Sequence, residues 1–274
     1  MKMITLLENS AAGSGLRAAR GLSIYVETAK HKVLFDMGPD GAFLENAEAL
    51  GVDLSAVDTA VLSHGHSDHG GGLADFCRVN SRAKIFLRRE ALLPYYAVLP
   101  EKEPQFIGVT ADGNLQRRFS YTEAVERLDE ELLLFADVED DKSLRAVAPK
   151  LQYKAAEGFR PDGFAHEQHL LVEENGKSAL LAGCGHLGIV NTLRAAKRRL
   201  GRMPDVVFGG FHLFEVTPET PGAEDLITLT ARELAEGETV YYTGHCTGDW
   251  AYERLKETLG DRLRPMNCGT SAEL

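Results

Sequence analysis

SHGHSDHGGG, residues 63–72, carries four metal-competent side chains, His64, His66, Asp68 and His69, within six consecutive positions. Upstream, residues 58–62 (DTAVL) read as a short buried strand. Downstream, Gly70-Gly71-Gly72 followed by Leu73 and Ala74 reads as a tight turn opening a helix. The four side chains therefore sit on one loop at a strand's end. Glycine lets such a backbone fold closely enough for alternate side chains to converge on one point. His64 and His66 can grip one ion, while Asp68 and His69, facing the other way, can grip a second. Neutral imidazole and carboxylate are ligands that Zn²⁺, Mn²⁺ and Fe²⁺ accept. The chain has nine histidines in 274 residues and three fall here, which argues against an ordinary solvated polar loop.

An HxHxDH run after an apolar strand is the signature of the metallo-β-lactamase superfamily, and residues 59–73, TAVLSHGHSDHGGGL, resemble it closely. Three further stretches narrow the resemblance: GLSIYVETAKHKVLFDMG at 21–38, LLAGCGHLGIVN at 180–191 and YYTGHCTGDWAYERL at 241–255. Together they look like the branch that includes the archaeal 7,8-dihydropterin-6-methyl-4-(β-D-ribofuranosyl)aminobenzene-5′-phosphate synthase and many bacterial relatives called metal-dependent hydrolases. The resemblance runs in order from about residue 4 to 260 and is weakest between 90 and 160. It implies an α/β fold, the αββα sandwich of two mixed sheets flanked by helices, with a loose two-half symmetry. Residues 1–274 are expected to form one domain of this kind.

The element pattern agrees in order. Residues 3–7, 22–27 and 32–35 read as strands, with a hairpin break at Thr28-Ala29-Lys30-His31. Phe43, Leu44, Ala47 and Leu50 recur at helical spacing before Gly51, and residues 84–87 read as another strand. Asn175-Gly176 between apolar runs 170–174 and 179–182 is a strong hairpin signal. Residues 189–200, 223–235 and 249–259 read as helices, each stopped near a glycine, and 206–208 and 240–243 as strands.

Residues 89–165 differ. They hold Pro94, Pro100, Pro104, Pro149 and Pro161, an acidic stretch across 129–141, and scattered aromatics, Tyr95, Tyr96, Phe106, Phe119, Tyr121 and Phe159. This segment is expected to be a cap that forms the substrate pocket, since function concentrates in loops mounted on a rigid scaffold. Any one of its aromatics is expected to pack.

Composition narrows the partners. Hydrophobic residues at 44% and charged residues at 26% are ordinary for a globular protein. No apolar run approaches the roughly 20 residues that span a bilayer. Glu8 interrupts the short apolar run at the N-terminus, so no signal peptide is expected. The four cysteines, Cys77, Cys184, Cys246 and Cys268, form no CxxC pair, and a reducing, cytoplasmic location is expected. The net charge of −11 opposes a polymeric nucleic-acid substrate, which needs a basic surface. The basic cluster Arg194, Lys197, Arg198, Arg199 and Arg202 is expected to be a solvated helix face. A small-molecule substrate, no membrane partner and an open question of homo-oligomerisation follow.

The resemblance implies further ligands at later strand ends. His245, in TGHCTG, stands where the superfamily supplies its last histidine. Most relatives end the strand before 184 in a bridging aspartate; here it ends in Cys184, either a thiolate ligand or a buried small hydrophobe. His186 is expected to stand for a missing third histidine in preference to His166 or His169. His212, in GGFHLF, is expected at the substrate, as a contact, general acid or ligand, and Gly209-Gly210 before it permits close approach. Asn9, Gly13-Ser14-Gly15, Arg17 and Arg20 form either an anion-receiving loop or a plain surface loop. Relatives commonly carry an acidic residue and a histidine just before the GLS stretch, where this chain has Ala19-Arg20.

Such a ligand set implies attack by water with metal assistance. Two ions roughly 3.5–4 Å apart lower the pKa of a water between them and polarise the bond under attack. Asp68 is expected to bind one ion and orient the hydroxide. The leading expectation is a dinuclear hydrolase using Zn²⁺ or Mn²⁺, with Fe²⁺ also suited, on a small anionic molecule. The alternatives are a dihydropterin-diphosphate-using transferase, whose ions would bind the leaving group, and a metal-binding module without turnover.

Overall fold

Short apolar runs divided by turn residues give the first 35 residues an antiparallel meander. Strands Lys2–Leu7, Ser23–Glu27 and Lys32–Phe35 pair in sequence order in the computed structural model, which describes residues 1–13 and 15–274. The break at 28–31 closes as expected: the Thr28 hydroxyl oxygen accepts the His31 N–H at 2.9 Å. The meander belongs to a first unit made of Met1–Glu123, Val147–Gln168 and Asn267–Leu274. Ala124–Ala146 and His169–Met266 form a second.

In the first unit a mixed sheet runs Ser271–Glu273, Lys2–Leu7, Ser23–Glu27, Lys32–Phe35, Thr59–Val61, Lys84–Leu87 and Phe119–Tyr121. Pairing is antiparallel up to Lys32–Phe35 and parallel beyond it. Phe35 pairs with Val61, so the segments that leave these two parallel strands start side by side. Helices Ala42–Ala49 and Leu73–Val79 bury Phe43 and Phe76 with Leu6, Leu34 and Ile85 in one apolar core. A smaller antiparallel sheet of Gly158–Pro161, Leu151–Ala155, Tyr95–Ala97 and Gln105–Phe106 completes the unit.

The second unit repeats the plan. Its sheet runs Val125–Arg127, Leu132–Phe135, His169–Glu174 and Lys177–Leu181 antiparallel, then Val206–Phe208, Val240–Thr243 and Leu263–Pro265 parallel. Asn175 and Gly176 turn the central hairpin at φ 51° and 75°, the two left-handed residues that a type I′ turn requires. Leu181, Phe208 and Tyr242 are in register, which aligns the carboxyl ends of three parallel strands. Open sheets of this kind place ligands at such ends.

Helices Ile189–Leu200, Ala223–Leu234 and Asp249–Leu259 cover this sheet through Ile189, Leu193, Ile227, Leu234, Leu255 and Leu259. Three of the four cations of the first helix are matched to acids: Arg194 to Glu233 at 2.9 Å, Lys197 to Glu236 at 3.3 Å, and Arg199 to Asp137. Exposed pairs of this type contribute about 0.2–1 kcal/mol. Each fully buried Leu or Ile contributes about 1.5–3 kcal/mol. The apolar face, not the charge pattern, holds the helix down.

The segment 89–165 does not behave as one body. Residues 89–123 and 147–165 join the first unit, while 124–146 supply two strands to the second sheet. Among the described residues, no helix is long and apolar enough to cross a membrane.

Candidate metal centre

The loop after Thr59–Val61 is locked to the loop after Lys32–Phe35 by one carboxylate. Asp36 is fully buried and sits at φ 61°, a left-handed conformation that a non-glycine residue adopts only at a cost. Its Oδ1 accepts the Ser63 N–H at 2.7 Å; its Oδ2 accepts the Ser63 hydroxyl at 2.7 Å and faces His69 Nδ1 at 2.6 Å. A carboxylate only accepts, so His69 carries its proton on Nδ1 and its lone pair on Nε2. The Ser63 hydroxyl proton is committed to Asp36, so its oxygen accepts from His64 Nδ1 at 2.8 Å. That places the His64 lone pair on Nε2 as well. Metal-ligating histidines are ordinarily fixed this way, by a partner on the other ring nitrogen.

His66 is held from the other side. The ring of His64 lies 4.7 Å from that of His66 and 4.1 Å from that of His69. Asp162 Oδ2 lies 3.6 Å from His66 Nε2 and 2.9 Å from His166 Nε2, with the Asp162 side chain 3% exposed. Burial pushes the Asp162 carboxyl up, but the hydrogen bond from His166 and the nearby His66 ring hold it well below the ordinary carboxylate range. Burial likewise pushes His66 below the ordinary imidazole value, against the pull of Asp162, and favours the neutral ring that a metal binds. Tyr95 stacks 4.1 Å from the His166 ring and lies edge-on to His66 at 5.6 Å. Part of segment 89–165 is thus packed directly on the motif loop: the Ser67 N–H donates to the Ile107 carbonyl at 2.7 Å. Glycine is required here for close approach. A Cβ on Gly65 would stand 2.3 Å from the Ala91 carbonyl oxygen, and one on Gly71 2.2 Å from that of Pro39.

Asp68 occupies the first turn of the short helix Ser67–Gly70 and is half-buried. Below the loop, Gln168 donates to the Leu62 and Phe86 carbonyls at 2.9 and 3.1 Å and accepts from Thr122 at 2.6 Å. Gln168 therefore pins two parallel strand ends in the first unit.

In the second unit, the loops after Lys177–Leu181, Val206–Phe208 and Val240–Thr243 bring together Cys184, His186, His212, His245 and Cys246. The ligand atoms of Cys184, His186 and His212 lie within 4.8 Å of one another, as do those of Cys184, His245 and Cys246. The His186 and His212 rings are 4.4 Å apart. His212 and His245 hold φ of 50° and 47°, so two non-glycine residues here are strained. Burial pushes the Cys246 thiol up, yet hydrogen bonding to Cys184 and to His212 brings it down to about 6.

Other sequence candidates have different surroundings. His169 is fully buried, with Nδ1 3.2 Å from the Ala182 carbonyl, beside Phe135. His166 uses both ring nitrogens, on Gly65 and Asp162. In the N-terminal loop Ser14 lies outside the described residues. Arg17 is paired with Glu45 at 2.9 Å and Asp40 at 3.3 Å, and Asn9 accepts the Gly21 N–H at 3.2 Å. Sequence reasoning singled out neither Asp36, Asp162 nor Cys246. An aspartate ending an apolar strand before Met37-Gly38 was a usable signal for Asp36, and adjacency to His245 was one for Cys246. Asp162 had none, being 94 residues beyond Asp68 in an irregular stretch.

A family model described as the metallo-beta-lactamase superfamily matches residues 17–245, a span that takes in the motif loop and closes on His245. The chain belongs to the metallo-beta-lactamase superfamily. It is 25% identical to the 7,8-dihydropterin-6-methyl-4-(beta-D-ribofuranosyl)-aminobenzene-5'-phosphate synthase of Methanocaldococcus jannaschii, covering 98% of this chain and 95% of that protein. It is similar to Tm1679, a metal-dependent hydrolase of the β-lactamase superfamily, at 27% identity and a TM-score of 0.83 over 100% of this chain and 99% of that one. Zn(2+)-bound PqqB from Methylobacterium extorquens shares the fold, with a TM-score of 0.59 at 13% identity over the full length of both chains. The α/β architecture of mixed sheets flanked by helices is therefore the metallo-beta-lactamase fold. That fold implies divalent-metal binding, and this chain's donors fit it: His64 and His69 turn lone-pair nitrogens away from buried oxygen partners.

Proposed function

We propose that this superfamily member is a hydrolase that uses two divalent ions on a small anionic molecule. The ligands on the first unit are His64, His66, Asp68 and His69, and those on the second are Cys184, His186 and His245. One observation carries this reading: the Asp36–Ser63 network that fixes the tautomers of His64 and His69. Two fixed imidazoles on one turn suit Zn²⁺ or Mn²⁺, with Fe²⁺ also within the donor chemistry. When bound, such ions supply an acidified water and neutralise charge on the reacting oxygen. Asp68 orients the nucleophile and moves its proton, and His212 contacts the substrate. The part of the 89–165 segment around Tyr95 and Ile107 serves as a cap, supported by their packing on the motif loop. The net charge of −11 and the acid-paired cations of helix Ile189–Leu200 support a small substrate over a nucleic acid.

A second reading, a transferase acting on a dihydropterin diphosphate, is favoured by the near full-length similarity to the archaeal synthase. One experiment separates the two. Metal-loaded protein is offered small esters, lactones, phosphodiesters, RNA, single-stranded DNA, and a dihydropterin diphosphate with and without an aromatic amine. Hydrolysis of a small substrate, lost with chelator and restored by Mn²⁺ or Zn²⁺, is the expected result. Consumption of the pterin only in the presence of the amine replaces hydrolase with transferase. Efficient cleavage of RNA or DNA with small substrates untouched overturns both.

A further inference from the structure

The second unit places a second buried thiol beside Cys184, and nothing in the proposed reaction uses it. Cys246 and Cys184 are 6% and 4% exposed, and the ligand atoms of Cys184, His245 and Cys246 all lie within 4.8 Å of one another. We propose that Cys246 is a metal ligand, so that Cys184, Cys246 and His245 together hold a thiophilic divalent ion such as Zn²⁺ through two thiolates and one imidazole. The inference rests on the reading of Cys184 and His245 as ligands and adds to it the second sulfur, and with it the selectivity for soft metals.

The surroundings of Cys246 are not those of a core cysteine. Cys268 is the contrast: it sits in the apolar core of the first unit, and its sulfur accepts the Glu8 N–H at 3.1 Å. Cys246 instead donates to the Cys184 carbonyl at 3.4 Å and belongs to none of the apolar core clusters built on Phe76, Leu87 and Leu193. A small hydrophobe would gain little there.

The backbone is shaped around its sulfur. A Cβ on Gly210 would stand 2.3 Å from Cys246 Sγ, so only glycine leaves the sulfur its place. The Cys246 carbonyl accepts the N–H groups of Leu213 and Phe214 at 2.9 and 3.0 Å, which ties the loop after Val240–Thr243 to the loop after Val206–Phe208. Next to it, His245 holds φ 47°, a left-handed conformation that a non-glycine residue keeps only where the surroundings enforce it. Ligand atoms around a tetrahedral Zn²⁺, with Zn–S near 2.3 Å and Zn–N near 2.0–2.1 Å, stand roughly 3.5 Å apart. Closing the present set to that spacing is a side-chain adjustment. Any thiol protons still present leave to solvent on binding, so no oxidant or reductant enters.

The full-length protein loaded with Co²⁺ tests this by absorption. Two cobalt-bound thiolates give an intense near-ultraviolet sulfur-to-metal charge-transfer band. Cys246→Ser is expected to remove about half of that band and Cys184→Ser the other half. A band unchanged in Cys246→Ser overturns the proposal. In case the variant is misfolded, the unaltered protein provides a second readout. Alkylation by iodoacetamide, mapped by mass spectrometry, should be blocked by Cd²⁺ at Cys184 and Cys246 and not at the half-buried Cys77. Equal labelling of Cys246 with and without Cd²⁺ overturns the proposal independently. Stoichiometric metal binding with a one-thiolate band that Cys184→Ser removes and Cys246→Ser leaves intact defeats this inference and leaves the hydrolase reading standing. Absence of bound metal defeats both.

Discussion

The backbone N–H of Gly65 donates to Nδ1 of His166 at 2.8 Å. An amide can only donate, so His166 carries its own proton on Nε2 and gives it to Asp162 at 2.9 Å. Both nitrogens are then engaged, and His166 braces the motif loop. The Asp162 carboxylate also stands 3.6 Å from His66 Nε2. A carboxylate so placed is the kind of partner that supports a histidine which binds a metal.

Asp162→Ala should therefore weaken metal binding roughly 10–100-fold, the usual cost of losing such a support. His66→Ala should lose metal and activity outright. His166→Ala should weaken binding less than His66→Ala, since it removes no ligand. Competition with a chromophoric chelator measures all three. Equal affinity in Asp162→Ala and the parent would show that the carboxylate supports nothing.

Asp36→Ala should be worse for the fold than for the charge balance. It strips acceptors from the Ser63 N–H, the Ser63 hydroxyl and His69 Nδ1 in a fully buried place. Each stranded buried group costs about 1–3 kcal/mol. The variant should lose several kcal/mol in urea denaturation, where an exposed control such as Glu48→Ala stays within about 0.5 kcal/mol. Unchanged stability would remove Asp36 from its place under the motif.

Gly65→Ala isolates close approach from chemistry. The added methyl meets the Ala91 carbonyl oxygen at 2.3 Å, and backbone does not give way as a flexible side chain would. Gly65 is not in the left-handed region, so the whole effect is steric. Loss of metal with only modest loss of stability is the expected outcome, read by metal analysis beside thermal denaturation. Full metal occupancy in this variant would mean that the loop has room the geometry denies.

Periodicity and turn chemistry made the elements near the sheets legible. Strands Lys32–Phe35, Lys84–Leu87, Val206–Phe208 and Val240–Thr243 have the bounds read from sequence, as do helices Ile189–Leu200 and Asp249–Leu259. Apolar runs with glycine or asparagine at their ends carry their own punctuation. The strands Leu132–Phe135 and Leu151–Ala155 went unread, because they lie amid acidic and proline-rich sequence and depend on distant partners. The same holds for the candidate centre. His64, His66 and His69 advertise themselves by spacing, since one turn holds all three. Asp36, Asp162 and Cys246 act through space, and nothing local in a sequence records that Asp162 will meet His66.

Acid should destabilise the metal-free protein through His66. Burial lowers its pKa below the ordinary 6.5 in the fold. Between that value and the lower folded one, the unfolded chain binds more protons, so stability rises with pH across the window. The contribution is complete above about 6.5 and is lost as the pH falls through the folded pKa. Urea denaturation of chelator-treated protein should thus steepen with acid below pH 6.5, and His66→Gln should flatten that stretch. Parallel pH profiles for the two proteins would place the titration elsewhere.

His212→Ala should separate substrate handling from metal holding. His212 is 8% exposed, sits at φ 50° and lies 4.4 Å ring to ring from His186. A strained, buried imidazole next to another one is a costly placement, and a purely structural histidine would not need it. If His212 contacts substrate or moves a proton, its removal lowers kcat on the order of 10²–10⁴-fold. Metal content should fall little. His186→Ala is the companion variant: as a ligand, it should lose metal first and turnover in proportion. Metal analysis and steady-state kinetics on the same preparations give both numbers. Proportional loss of metal and kcat in His212→Ala would make it a ligand and remove it from the substrate.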